Sequence, residues 1–287
     1  MSGHQVIQVT DLHLSAERAY NYASWKACLD HINDVKPDFV AVTGDLVLDD
    51  PDHAPDHSFV HRELNRIEVP WAALPGNHDI GDTGPRPYMG QWITDERRQR
   101  FLSHYGADWW GRDLGAWRLL GLNAQLMGSS LAAEAEQLAW LESQVADAQD
   151  RPLALFLHKP LFVENPAEAG DPVWCVLQEG RQAILQTLQR GNLKLVACGH
   201  AHHYRTLNFG STAMVWAPST AQIINNEVAP FQGLHEPGIV HYRFDDDKVE
   251  YGLVKPRGLV ASDLTDIVET HGTMRQAPLF PLEQVLA

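Results

Sequence analysis

Short apolar runs with strand character recur along the first two thirds of the chain, and stretches with helical periodicity separate them. The runs cover residues 6–10, 39–43, 71–74, 117–122, 153–157 and 195–198. Alternation of strands and helices is typical of an α/β fold, in which helices cover the faces of a sheet. We therefore predict an α/β fold for this part of the chain.

The clearest helical pattern lies between the first two runs. Trp25, Cys28, Leu29, Ile32 and Val35 follow the i, i+3, i+4, i+7 spacing of an amphipathic helix, and a proline two residues later ends the pattern. Similar stripes occur at residues 138–145 and 184–188. These faces are predicted to be core, without a functional role.

From residue 212 onward the pattern changes to short strands with no helix between them, at residues 214–217, 239–244 and 249–254. This pattern predicts an antiparallel or mixed second sheet. The last stretch is less regular. We predict one domain over residues 1–255 and a C-terminal tail over residues 256–287 that is docked on it or forms a dimer arm.

Composition limits the classes of protein to which the chain can belong. Its three cysteines (Cys28, Cys175 and Cys198) stand far apart, which favours neither a disulfide framework nor a thiolate zinc site. No secretory signal pattern precedes the first run, and no apolar run approaches the roughly 20 residues of a membrane-spanning helix. We expect a cytoplasmic protein without a membrane segment, and a homo-oligomer is possible.

The net charge of −15 disfavours nucleic acid as a partner, since polyanions are held by clustered Lys and Arg. A DNA nuclease is accordingly a remote interpretation. The same acidity opposes binding of any phosphate unless bound metal ions reverse the local sign. The 15 histidines make such a metal site the first hypothesis to examine.

Polar residues follow the apolar runs at the point where each strand is predicted to end. They are Asp11 and His13, Asp45, Asn77 with His78 and Asp79, His158, and His200 with His202. In open α/β sheets the carboxyl ends of strands form the crevice where ligands bind, so these groups are expected to converge. Imidazole, carboxylate and amide oxygen ligands without thiolate suit Fe, Mn, Zn or Co.

The ordered motifs Asp-x-His, Gly-Asp, Gly-Asn-His-Asp, a lone His and Gly-His-x-His resemble the signature of the calcineurin-like metallophosphoesterase superfamily. Within it, the chain is most similar to bacterial class III cyclic-nucleotide phosphodiesterases and the related glycerophosphodiesterases. The resemblance implies a four-layer αββα sandwich with two mixed β-sheets. It also implies two metal ions, one held by Asp11, His13 and His202, the other by Asn77, His158 and His200, with Asp45 bridging both.

The predicted function is hydrolysis of a small phosphodiester, such as a cyclic nucleotide or a glycerophosphodiester, by a hydroxide bridging the two metals. A phosphomonoesterase is the alternative, and a binding scaffold without turnover is a third hypothesis that seven intact ligands oppose. Asp45 and His78 are the predicted catalytic residues, with His78 a general acid and not a ligand. Cyclic-nucleotide relatives often have His-His-Pro where this chain has His158-Lys159-Pro160, which weakens that substrate assignment.

Other polar residues leave two interpretations open. A second metal site at His53, His57 and His61 competes with a partly solvated helix face. His203, His235 and His241 are expected to be ordinary polar residues, Asp49 and Asp50 either support the site or form a turn, and Asp79 orients its loop or a histidine. Residues 81–113 form either a substrate-recognition wall or a helical cover. The side chains on which this choice depends are Arg86, Tyr88, Trp92, Arg97, Arg98, Arg100, Trp109 and Trp110.

Overall fold

A computed structural model describes residues 3–225 and 227–286 of the chain. Its strands are β1 (His4–Val9), β2 (Phe39–Thr43), β3 (Trp71–Leu74), β4 (Trp110–Leu114), β5 (Trp117–Leu122), β6 (Pro152–Leu157), β7 (Asn192–Cys198), β8 (Arg205–Phe209), β9 (Thr212–Trp216), β10 (Gln222–Ile223), β11 (Ile239–Asp245), β12 (Lys248–Val254) and β13 (Ser262–Asp263). Its α-helices are α1 (Tyr22–Val35), α2 (Ala54–Leu64), α3 (Asn77–Ile80), α4 (Asp95–Tyr105), α5 (Ala132–Ala148), α6 (Gln178–Leu188), α7 (Leu264–His271) and α8 (Leu282–Leu286).

Two large mixed sheets form the centre of the molecule. The first has the order β12-β11-β1-β2-β3, with β1, β2 and β3 parallel and β11 antiparallel to β1. The second has the order β4-β5-β6-β7-β9-β8, with parallel pairing from β5 through β9 and antiparallel strands at both edges. The predicted α/β class with two mixed sheets is confirmed.

Alternate residues of the central strands face different layers, as the two-residue period of a strand requires. On β6, Leu153 and Leu155 pack with α5 and α6, whereas Ala154 and Phe156 pack against residues of the first sheet. On β1, Ile7 packs with α1 and α2 in the same way. Two helical layers therefore cover the outer faces of two packed sheets, which is the predicted αββα arrangement.

Most local predictions agree with the structure, but the grouping of the late strands was wrong. The three strands predicted after residue 212 do not form a sheet with one another: β9 pairs with β7, while β11 and β12 extend the sheet of β1. The short strands β10 and β13 pair in parallel as a separate two-stranded sheet. A local pattern specifies that a segment is extended, whereas its partner is chosen by long-range packing. The edge strands β4 and β8 were missed, because their sequences are largely polar or half-exposed.

The segment after β12 lies against the rest of the chain. The Ala19 N–H donates to the Phe280 carbonyl, and the Phe280 N–H donates to the Glu17 carbonyl, at 2.9 and 3.0 Å. Leu282 and Val285 pack against the core beside α1. These contacts agree with a docked tail, and the boundary at residue 255 stays a prediction.

No helix in the described ranges is long and apolar enough to cross a membrane. The cytoplasmic location inferred from the sequence stays a prediction.

Candidate metal centre

Loops at the carboxyl ends of β1, β2, β3, β6 and β7 bring all seven predicted ligands and His78 to one place. Five of them, Asp11, His13, Asp45, His200 and His202, have positive φ angles between 45° and 69°. Non-glycine residues seldom adopt this left-handed conformation, which costs free energy and is concentrated at functional sites. The backbone is held there by the packing of several loops.

The glycines before three of these ligands serve two purposes. Gly44 has a φ of +94°, so it provides a sharp turn after β2 that other residues seldom adopt. Gly76 and Gly199 do not have positive φ angles. A Cβ atom on Gly76 would lie 2.2 Å from Asp45 Oδ1, and one on Gly199 would lie 2.1 Å from Thr10 Oγ1. These two glycines therefore allow close approach of neighbouring loops.

Four imidazoles are held in one orientation by backbone carbonyls. One ring nitrogen of His13 lies 2.9 Å from the Leu48 carbonyl, and one of His158 lies 2.8 Å from the Thr43 carbonyl. His200 and His202 contact the carbonyls of Val173 and Gln222 at 2.7 and 3.2 Å. Such contacts fix the tautomer of metal-binding histidines. Each ring thereby directs its other nitrogen toward the centre.

The first ligand cluster consists of Asp11, His13 and His202, whose ligand atoms all lie within 4.8 Å of one another. The Nε2 atoms of His13 and His202 are 3.2 Å apart, and Asp11 Oδ1 lies 3.3 Å from His202 Nε2. Asp11 is held through its other oxygen, which accepts from Thr10 Oγ1 and the His200 N–H at 2.6 and 3.0 Å.

The second cluster consists of Asp45, His158 and His200, again within 4.8 Å. His158 Nε2 lies 3.3 Å from Asp45 Oδ2, 3.2 Å from His200 Nδ1 and 3.3 Å from Asn77 Oδ1. Asp45 Oδ2 also lies 3.9 Å from His13 Nε2 of the first cluster. The Asp45 carboxylate therefore stands between the two clusters.

The donor set fits metal ions. Asp11 Oδ1 is buried and has no hydrogen-bond partner among the described residues, although it faces the centre. Buried polar atoms are nearly always paired, so an oxygen in this position matches a cation ligand. The facing nitrogens of His13 and His202 offer electron pairs to the same point. Nitrogen and oxygen donors without thiolate are the ligands of Zn, Fe and Mn sites.

Burial and neighbouring charges together set the pKa values of the side chains in the centre. Burial lowers the pKa values of His13 and His200 to about 3, which keeps these rings neutral and able to bind metal. Burial opposes a charge on His158 as well, but the Asp45 carboxylate outweighs it and raises the pKa of His158 to about 9. The histidines around Asp45 lower the pKa of its carboxyl despite burial.

His78 differs from the four anchored imidazoles. Its Nδ1 atom is buried without a hydrogen-bond partner among the described residues, and its Nε2 atom lies 3.7 Å from Asp45 Oδ2. The His78 N–H donates to Asp45 Oδ1 at 2.9 Å. His78, His13 and Asp45 also have ligand atoms within 4.8 Å of one another. Geometry therefore brings His78 to the centre, and the lack of a carbonyl anchor sets it apart from the ligand histidines.

Asp79 organises the loops and does not orient a histidine. Its two oxygens accept from the N–H groups of Leu46, Val47 and Gly76 at 2.9, 3.1 and 2.8 Å. Burial, together with the nearby Asp45, raises the pKa of Asp79 to about 7. Asp79 thus ties the loop after β2 to the loop after β3.

A cavity of about 480 Å³ adjoins the metal centre. Of the side chains in residues 81–113 that the sequence singled out, Arg86 and Tyr88 line it, and the Tyr88 ring contacts His78 at a centroid distance of 4.9 Å. The other arginines have structural partners: Arg97 and Arg100 bind Asp52, and Arg98 binds Asp108. Trp109 and Trp110 pack on core residues. Two of these side chains therefore line the cavity, most of the others belong to a packed cover, and the role of the two in substrate recognition stays a prediction.

The remaining histidines that the sequence left open have structural contacts. His57 is buried, 3.0 Å from the Pro51 carbonyl and 3.3 Å from Tyr105 Oη, so at this position the helix face is packed and not partly solvated as expected. The rings of His203 and His235 meet edge to face with their centroids 3.8 Å apart, and His241 contacts His31 at 3.0 Å. Of the two aspartates after the Gly-Asp motif, Asp50 accepts from the Asp52 N–H in a turn, whereas Asp49 binds Arg275.

Sequence reasoning missed one whole side of the cavity. It is lined by Val173, Trp174, Ile224, Val228, Leu264, Thr265, Val268, Glu269 and Met274. The i, i+4 spacing of Leu264 and Val268 was the available signal. A short stripe in an irregular tail does not indicate what it faces.

The calcineurin-like phosphoesterase family matches residues 4–204, a span that contains every residue of the metal centre. The chain belongs to this family. Metallophosphoesterases of this family are hydrolases, and together with the two clusters this membership supports a dinuclear divalent metal site. The sequence-based family prediction is confirmed.

Two relatives have names that describe diester cleavage. A probable glycerophosphodiester phosphodiesterase from Arcobacter nitrofigilis is 29% identical over 227 residues, covering 75% of this chain and 77% of the relative. The 3′,5′-cyclic adenosine monophosphate phosphodiesterase of Escherichia coli K12 is 28% identical over 228 residues, covering 75% and 76%. A dimetal phosphatase structure from Danio rerio shares the fold, with a TM-score of 0.62, 13% identity and coverage of 88% of this chain and 96% of that one.

Proposed function

We propose that this metallophosphoesterase hydrolyses a small phosphodiester at its dinuclear centre. The observation that carries the proposal is the set of four carbonyl-anchored imidazoles, which point their remaining nitrogens at a centre shared with Asp11 and Asp45. A binding scaffold has no physical need for so many oriented donors.

In this proposal Asp11, His13 and His202 would hold one ion, and Asn77, His158 and His200 would hold the other. Asp45, which stands between the two clusters, would contribute to both. Fe, Mn, Zn or Co suits these donors. When bound, such ions supply positive charge for the phosphate and lower the pKa of water. They also explain how an acidic chain accepts an anionic substrate.

His78 is proposed to act on the substrate. Its ring borders the cavity beside Asp45 and has no carbonyl anchor, so it is available to a phosphoryl oxygen or a departing alkoxide. Tyr88 packs against the ring and limits its position. A histidine placed there is suited to donate a proton to the leaving oxygen, because imidazole is a common general acid in enzymes.

The names of the two relatives support diesters over monoesters. The alternative, a phosphomonoesterase, is favoured by a human relative named serine/threonine-protein phosphatase CPPED1, which is 28% identical over 181 residues. A monoester carries a second negative charge, which competes for the positive centre with the attacking oxygen. We therefore place the diester first.

The test is metal analysis of the purified protein followed by assays of 4-nitrophenyl methyl phosphate and 4-nitrophenyl phosphate with each metal. Two ions per chain and a higher kcat/KM for the diester are expected. If kcat/KM is higher for the monoester with every metal, the protein is a phosphomonoesterase and the diesterase proposal is wrong. Saturation at one ion per chain would contradict the dinuclear assignment.

A further inference from the structure

The cavity beside the metal centre has one markedly apolar side. Ile224, Val228, Leu264, Val268 and Met274 line it, and we call these five residues the apolar wall. Three of them come from the C-terminal segment that follows β12. All five residues follow the last of the metal-binding motifs described above in the sequence.

The helix α7 presents an apolar face that no hydrophobic core covers. Leu264 and Val268 are one helical turn apart and lie on the same face. Neither belongs to, or packs against, the three hydrophobic cores formed by the described residues. Both are only partly buried and line the cavity. An apolar helix face normally packs on other apolar groups, so its position here calls for an apolar occupant.

Several contacts fix α7 beside the metal centre. The strand β13 leads directly into α7 and pairs with β10, whose Gln222 carbonyl contacts the metal-centre residue His202. The Asp263 side chain caps α7 by accepting from the Thr265 N–H at 2.8 Å. The wall is therefore tied to the centre through a short β-bridge.

The next turn of the chain is also attached to the rim of the cavity. Arg275 binds Asp49 through its N–H and its Nε atom, at 2.6 and 3.1 Å, and it binds Asp56 at 2.7 Å. Gln222 contacts Met274 Sδ at 2.8 Å. These bonds hold Met274 in the wall.

The charged groups that line the cavity outside the metal centre are paired or exposed to solvent. Asp49 is paired with Arg275, and Asp82 is paired with Lys159 at 2.7 Å. Arg86 and Glu269 are exposed. Among the described residues, the wall itself presents no charge to a substrate.

We infer that the apolar wall binds a hydrocarbon group of the substrate, so that the preferred diester carries an alkyl or acyl chain next to its phosphate. This inference rests on the proposed diesterase function and names its substrate class. A glycerol or choline group would gain little from these side chains. A hydrocarbon chain would transfer its methylenes from water to an apolar surface, which favours binding in proportion to the buried area.

A homologous series of alkyl 4-nitrophenyl phosphates, from methyl to octyl, tests the inference. The leaving group and the phosphate stay constant, so only the contact of the alkyl chain changes. For the metal-loaded wild-type protein, kcat/KM is expected to rise by up to about fourfold per methylene until the cavity is filled. The octyl-to-methyl ratio measured within one protein cancels differences in active fraction.

Two variants on the same helix provide a matched pair. Val268→Asp places a carboxylate in the wall and is expected to lower the octyl-to-methyl ratio at least tenfold. Thr270→Asp adds the same charge on the opposite, exposed face of α7, and it is expected to retain the wild-type ratio. Calorimetric binding of n-alkylphosphonates gives the same comparison without turnover.

The outcomes separate this inference from the proposed function. Hydrolysis of all diesters with a flat chain-length profile would overturn the inference and leave the diesterase in place. The protein could instead hydrolyse no diester, yet bind alkylphosphonates more tightly as their chain lengthens, with Val268→Asp abolishing this binding. That result would overturn the diesterase function and leave the inference about the wall in place. Sedimentation velocity could also show a dimer that Val268→Asp dissociates and Thr270→Asp does not, while kcat/KM does not depend on alkyl chain length. That result would make the wall a contact with a second copy of the chain and overturn the inference.

Discussion

At the scale of single residues, Asp45 connects the two ligand clusters. Its Oδ2 atom lies 3.3 Å from His158 and 3.9 Å from His13, whereas Asn77 Oδ1 lies 3.3 Å from His158 in the second cluster. We therefore expect the two residues to differ in how many metal ions they bind.

Replacing Asp45 with Ala is expected to weaken both metal sites and to abolish activity, because the shared carboxylate is lost. Asn77→Ala is expected to weaken mainly one site. Metal titration followed by elemental analysis at several free-metal concentrations measures both effects. Equal loss from both sites in the Asn77 variant would contradict the assignment of ligands.

His78→Ala is expected to slow alkyl diesters by about 10²–10⁴-fold, the usual contribution of general acid catalysis. Activated aryl esters should slow less, since a nitrophenolate departs without a proton. Metal content should stay at the wild-type value. Loss of an ion would make His78 a ligand, and equal slowing of both ester types would replace proton donation by electrostatic stabilisation.

At the scale of elements, the loop between α3 and α4 carries Arg86 and Tyr88 and is held by a buried ion pair. Lys159 Nζ lies 2.7 Å from both Asp82 oxygens and 2.9 Å from the Pro172 carbonyl. Lys159, which departs from the cyclic-nucleotide pattern, thus ties this loop to the end of β6.

Lys159→Met is expected to lower the free energy of unfolding by about 3–5 kcal/mol, because the Asp82 charge remains buried without its partner. Urea denaturation measures this change. Lys26→Met provides the control: Lys26 forms an exposed i,i+4 pair with Asp30, and its loss should cost less than about 1 kcal/mol. Similar losses in the two variants would show that the Lys159 pair does not stabilise the fold.

At the scale of the whole molecule, the stability of the metal-free protein should depend on pH through buried histidines outside the centre. Burial lowers the pKa of His57 from 6.5 to about 4. Between these values the unfolded chain binds a proton at this residue and the folded chain does not. Stability is therefore full above about pH 6.5 and falls as the pH drops toward 4.

His57 should contribute about 3 kcal/mol to this loss of unfolding free energy, from 1.36 kcal/mol per pKa unit. Urea denaturation between pH 7 and 4 in the presence of a chelator measures the slope, which should be smaller in His57→Gln. Parallel profiles for the two proteins would contradict the prediction.

The sequence by itself determined which side chains meet at the candidate metal centre and most of the strands that carry them. A short motif such as Gly-Asn-His-Asp contains its own donors, and the runs ending at Thr43, Leu74 and Leu122 matched the observed strands because apolar patterning is local. The predicted positions at the carboxyl ends of strands were right for the same reason.

Only the tertiary structure decided which strands share a sheet, which carbonyl anchors each imidazole and what faces the metal centre. The Val173 carbonyl that contacts His200, and the wall residues Leu264 and Val268, are far from the motifs in sequence. Contacts of this kind depend on how distant segments pack, and no local pattern encodes the partner. The lining of the cavity is therefore decided by the tertiary fold, whereas the candidate metal-binding side chains can be identified from the sequence.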